Sequence, residues 1–142
     1  MVDVAVVTQG EAVLPSGECH PVTLRARARP EIKLAGDWLD PRDERSWEYP
    51  LALAEEACLL GFDEIQFDYV RFPDKHGLIF SSSATEESRT EAITSFLQSA
   101  REALIPYNVH IAADIFGYVL WNGNDTDIGQ KLHHVLDSVD IV

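Results

Sequence analysis

Gly61-Phe62-Asp63-Glu64-Ile65-Gln66-Phe67-Asp68-Tyr69-Val70-Arg71-Phe72-Pro73 is the stretch on which the reading of the fold turns. Ile65, Phe67 and Tyr69 alternate with Glu64, Gln66, Asp68 and Val70, a period of two that predicts a β-strand. One face is apolar, and the other carries a carboxylate, an amide and a second carboxylate. A helical pattern runs up to Gly61 and a loop follows Pro73, so the strand belongs to a helix–strand–loop–helix unit. In such folds the polar residues at the C-terminal end of a strand line the active site. Asp68 stands at that end and is the first candidate catalytic residue.

Downstream, Ser83 and Glu86 form a capping box for a helix over about 84–104, with Ile93, Phe96, Leu97, Ala100 and Leu104 on its apolar face. Pro106 ends it. Residues 109–116 alternate again: Val109, Ile111, Ala113 and Ile115 on one face, His110, Ala112, Asp114 and Phe116 on the other. The polar face of this second strand also ends in a carboxylate, Asp114. A loop to Asp127 holds Tyr118 and Trp121, a helix over about 127–136 follows, and Val139–Val142 begins a third strand.

Upstream, Asp40 reads as an N-cap with Pro41 at the first helical position. The helical pattern continues to Leu60, with Trp47, Leu51, Ala54, Cys58 and Leu59 on one stripe. At Pro50 either the helix kinks or a short first helix gives way to a second. Gly61 supplies the stop. Residues 1–28 form a poorly assigned N-terminal segment in which Val2–Val7 and Val22–Ala28 could be short strands between turn signals. Residues 29–142 read as α/β, with parallel strands joined by crossover helices. A closed (β/α)8 barrel takes roughly 250 residues, so the expectation is a partial TIM-type barrel, a fragment of a larger one.

The chain has 142 residues, 46% of them hydrophobic, enough to bury a core as one domain. Its formal net charge of -13 repels phosphate backbones and anionic lipid, which argues against nucleic-acid and membrane-surface partners but not against a neutral sugar. No apolar run is long enough to span a bilayer, and the N-terminus lacks the pattern of a signal peptide. Cys58 reads as a buried structural thiol, and Cys19-His20 as a loop rather than a metal site. No cofactor or metal is expected.

Asp68 and Asp114 are the chemically informative pair. Each ends the same kind of strand face, and one crossover helix joins the two strands. As neighbours in a parallel sheet they stand about 5 Å apart. Glycoside hydrolysis needs two carboxyl groups flanking a sugar bond, one as acid and one as nucleophile or base. The bland alternative is that both aspartates only tie down loops. Arg71 either pairs with Asp68 or clamps a substrate hydroxyl. Glu64 and Gln66 read as interior-layer residues, with substrate contact the alternative. Tyr118, Trp121 and Phe116 either stack on sugar rings or anchor their own loop. Candidate substrate-binding residues are therefore Arg71, Gln66, Tyr118 and Trp121. His110 reads as a core histidine, and His133-His134 as surface residues pointing apart.

Taken with Ala113-Asp114-Ile115-Phe116-Gly117 and Ile128-Gly129-Gln130, the opening stretch resembles a bacterial family known as the "putative glycoside hydrolase domain". Trp38-Leu39-Asp40-Pro41, Trp47-Glu48-Tyr49 and Ala54-Glu55-Glu56-Ala57 are similar to it as well, so the resemblance covers roughly 30–142. It implies a (β/α)8 barrel, a carbohydrate substrate, and a cell-envelope or exported location. It also implies Asp68 as nucleophile and Asp114 as its partner, as in retaining α-glycosidases with an aspartate nucleophile on the fourth strand. A chitinase-type signature would place an acid two residues after Asp68, where this chain has Val70. Three readings follow: a glycosidase acting through the carboxylate pair, a non-catalytic carbohydrate-binding module, and a metal-dependent hydrolase. Exposed strand edges would also permit self-association.

Overall fold

The computed structural model describes residues 3–7, 33–35, 38–73 and 84–142, with 3–7, 33–35 and Trp38 as backbone. The expected strand Val22–Ala28, the Cys19-His20 pair and the capping residue Ser83 lie outside the described residues. The strands are β1 (Asp3–Val7), β2 (Lys33–Ala35), β3 (Trp38–Leu39), β4 (Glu64–Asp68) and β5 (His110–Ala113). The α-helices are α1 (Glu48–Leu59), α2 (Glu86–Leu104) and α3 (Leu132–Leu136). β2 and β3 form a separate two-stranded antiparallel pair.

β4 is the middle strand of the sheet β1–β4–β5. Its alternation is as the sequence predicts: Ile65 and Phe67 are fully buried, while Glu64, Gln66 and Asp68 are half-buried on the other face. β5 runs parallel to it in the register Glu64↔His110 through Phe67↔Ala113, with α2 as the crossover. The parallel pairing is therefore present, but β1 lies antiparallel on the other edge of β4, a neighbour outside the parallel series expected. Among the described residues the chain is thus a mixed α/β structure with one parallel strand pair. The third expected strand is reduced to a single parallel bridge, Ala112↔Ile141. There the Asp140 carboxylate takes the place of a strand partner, accepting the Ile111 N–H at 2.9 Å and the Arg101 guanidinium at 2.9 Å. Those hydrogen bonds, the Ile111 amide foremost, hold the Asp140 carboxyl below its usual range against the opposing effect of burial.

Both long helices pack on the Ile65/Phe67 face. Phe96 of α2 meets Phe67 edge-to-face at 5.3 Å between ring centres and Trp47 at 6.0 Å. Ile93, Phe96, Leu97, Ala100 and Leu104 are all buried, so the stripe predicted for α2 is the one used. Its cap is Thr85, whose hydroxyl accepts the Ser88 N–H at 3.2 Å. α1 begins later than the sequence suggests. Asp40 closes a turn by accepting from the Arg42 amide and guanidinium, and Asp43 caps a 3₁₀ turn over Glu44–Ser46. Pro50 then falls in the first turn of α1, where a missing N–H costs nothing, so it neither kinks nor divides the helix. Leu59 is exposed rather than on the buried stripe, and Ala57 is buried in its place. Gly61, at φ +92°, ends α1 in a Schellman turn: its N–H reaches Cys58 O and that of Phe62 reaches Ala57 O.

Two histidine readings change. His110 is exposed, because β5 starts at the solvent edge of the sheet. His133 and His134 do not point apart but lie with ring centres 4.2 Å from one another on α3, which is shorter than predicted because residues 126–129 turn tightly before it. No described helix is long and apolar enough to cross a membrane.

Candidate active site at the strand ends

Alternation fails at the end of β4, and the failure builds the site. Asp68 Oδ1 accepts the N–H of Tyr69 at 2.7 Å, and Tyr69 adopts a φ of +55°, left-handed backbone that a bulky residue rarely takes. Arg71 N–H then closes on Tyr69 O at 2.8 Å. The chain turns, so Tyr69 is exposed instead of sharing the face of Phe67, and Val70 goes inward in its place. Periodicity assigns Tyr69 to the apolar face; the turn chemistry, to which periodicity is blind, puts it at the rim.

Asp114 lies one residue beyond β5, and its N–H donates to Phe67 O at 3.1 Å, continuing the parallel ladder past Ala113. Asp68 and Asp114 therefore leave neighbouring strands at the same end of the sheet, the first half-buried and the second exposed. Gln66 is half-buried two residues before Asp68 on the same face. A set of rings follows the two aspartates along the chain. The Arg71 guanidinium lies 4.7 Å from the centre of Phe116 and 5.4 Å from that of Tyr69, with Nη1 donating to Phe72 O at 3.0 Å. Phe116 in turn contacts Tyr118, which is half-buried in a 3₁₀ turn over Gly117–Leu120. Trp121, directly after that turn, is 80% exposed, too open to be an anchor for its loop. Of the candidate residues, then, Asp68, Asp114 and Arg71 lie at the strand ends, Gln66 lies within β4 on the face of Asp68, and Tyr118 and Trp121 belong to the loop after β5.

Residues 125–130 support the rim from behind. Asp125 is 2% exposed and receives both Nε and Nη2 of Arg89, at 2.6 and 2.9 Å. It also accepts the amides of Asp127 and Gly129 at 3.1 Å each. Burial alone would raise this carboxyl; the Arg89 hydrogen bonds and the two amides outweigh it and hold the pKa below the usual range. Arg89 is correspondingly raised, chiefly by its hydrogen bond to Asp125. Ile128 O accepts the Phe72 N–H at 2.8 Å. Gln130, 1% exposed, donates to Val70 O and Asp114 O and accepts from Phe116 N–H. Nothing in the local pattern signals these roles, since a buried polar residue in a loop carries no period.

Among the described residues, no three His, Cys, Asp or Glu side chains converge on a point that could hold a metal ion. An open groove of about 910 Å³ follows α2, lined in part by Glu87, Thr90, Glu91, Lys131 and His134; none of the strand-end residues contributes to it.

A family model described as "Putative glycosyl hydrolase domain" matches residues 24–142. A crystal structure of a hypothetical protein from Ruminiclostridium thermocellum ATCC 27405 is 40% identical over 63% of this chain, with a TM-score of 0.51. The chain spans about half, 50%, of that protein's length. No curated protein matches.

Proposed function

The chain belongs to the putative glycosyl hydrolase domain family, and from that membership we propose that it cleaves glycosidic bonds of a polysaccharide or cell-envelope glycan. Asp68 serves as nucleophile or base and Asp114 as its acid partner, on a βαβ unit that forms part of a (β/α)8 barrel. The observation that carries this reading is the ladder step from Phe67↔Ala113 to the Asp114 N–H on Phe67 O, which sets the two aspartates at adjacent strand ends. Strand neighbours are about 4.8 Å apart, close to the carboxyl spacing of about 5 Å used by retaining glycosidases. Asp68 has one oxygen engaged by the Tyr69 amide, which orients the carboxylate and leaves Oδ2 for chemistry. Arg71 and Gln66 would bind sugar hydroxyls, while Tyr69, Tyr118 and Trp121 offer ring faces to the apolar side of the sugar.

Hydrolysis of a glycan panel by the wild type and by Asp68→Asn tests this. The variant should lose at least about a hundredfold in turnover; undiminished product would remove Asp68 from the mechanism. The exposure of Trp121 also favours a second reading, a non-catalytic glycan-binding module. Binding that survives Asp68→Asn, fails with Trp121→Ala and yields no product in either would select it.

A further inference from the structure

We propose that Gln130 is a positioning residue that fixes the two strand ends bearing Asp68 and Asp114 against each other; its catalytic consequence rests on the function proposed above. One amide makes three hydrogen bonds to three different places on the rim. Nε2 donates to Val70 O at 3.0 Å, two residues past Asp68, and to Asp114 O at 3.2 Å. Oε1 accepts the Phe116 N–H at 3.1 Å. Val70 belongs to the segment leaving β4, and Asp114 and Phe116 to the segment leaving β5. The side chain thus bridges the chain leaving one carboxylate to the backbone of the other, beyond the last rung of the ladder at Asp114 N–H and Phe67 O.

Gln130 cannot easily drift. It is 1% exposed, and its neighbour Gly129 sits at φ +82° where an added Cβ would meet Arg89 O at 2.8 Å. The preceding turn is pinned by the buried Asp125–Arg89 pair. A glutamine suits the task because it alone, among uncharged side chains of this length, offers two donors and an acceptor in one plane. Loss of the bridge frees the Asp114 segment to swing. A displacement of about 1 Å at a reacting group costs on the order of a hundredfold in rate without weakening substrate binding to match.

Two variants and two measurements test the assignment on the whole chain. Gln130→Met keeps length and removes all three hydrogen bonds. By native-state amide exchange, the Asp114 amide should exchange about tenfold faster in it while α2 core amides are unchanged. That amide has its own acceptor in Phe67 O, so it responds only if Gln130 holds the strands together. With 4-nitrophenyl glycosides as probe, kcat should fall at least about tenfold with KM nearly constant. In Gln130→Glu the introduced carboxyl donates only when protonated, so the ratio of its kcat to that of the wild type at the same pH should rise as pH falls; this variant carries the test if the first does not fold. An unchanged Asp114 exchange rate, or a kcat loss matched by KM, overturns the proposal. Full hydrolysis by Asp68→Asn would instead sink the functional reading, and the exchange arm would still decide the bridge.

Discussion

Tyr69 shows how much a single backbone angle decides. A non-glycine residue at φ +55° carries a cost of about 1–2 kcal/mol, and such strain collects at functional sites. Replacing it with glycine relieves that strain but adds chain entropy of about 1 kcal/mol to the unfolded state. Tyr69→Gly should therefore leave the melting temperature almost unchanged while weakening glycan binding, read by calorimetric titration. A large drop in melting temperature would mean that the ring serves stability instead. Gly129 is the opposite case. At φ +82°, with Arg89 O and Ile93 Cγ1 each 2.8 Å from where an alanine methyl would stand, no side chain fits. Gly129→Ala should cost about 2 kcal/mol or more in urea unfolding.

Among the elements, the Arg89–Asp125 pair ties the first turn of α2 to the loop behind the site, with Arg89 also donating to Ala84 O. Removing one partner of a buried pair strands the other, so Arg89→Ala should lose about 3–5 kcal/mol. Because the Asp125 carboxyl is lowered in the fold, its contribution is complete above the ordinary carboxylate value of about 4 and disappears as pH falls through the lower folded value. Wild-type stability should accordingly drop more steeply than that of Asp125→Asn below about pH 4, by denaturant midpoints across pH. Periodicity makes β4, α2 and its stripe legible, because burial of Ile65, Phe67 and Phe96 repeats with the element's own period. It cannot locate the start of α1. Asp40-Pro41 has the chemistry of a cap, yet Asp40 is drawn into a local turn with Arg42 and Asp43 caps the next segment instead.

For the whole molecule, the order of the carboxylate-bearing strands is readable from a single helix lying between them. The antiparallel β1, the reduction of the third strand to one bridge, and the Gln130 and Asp125 hydrogen bonds are not, since long-range partners leave no mark on local pattern. The net charge of -13 has its own consequence at this scale. Binding of a neutral oligosaccharide should vary little with ionic strength, whereas an acidic glycan should bind more weakly as salt is removed. The most direct measurement is a crystal structure of the chain with a glycan bound. One glycosidic bond is expected between the Asp68 and Asp114 carboxyl groups, with those groups about 5–9.5 Å apart. A glycan seated in the groove along α2, or two carboxyl groups facing separate surfaces, would contradict a hydrolase built on this pair.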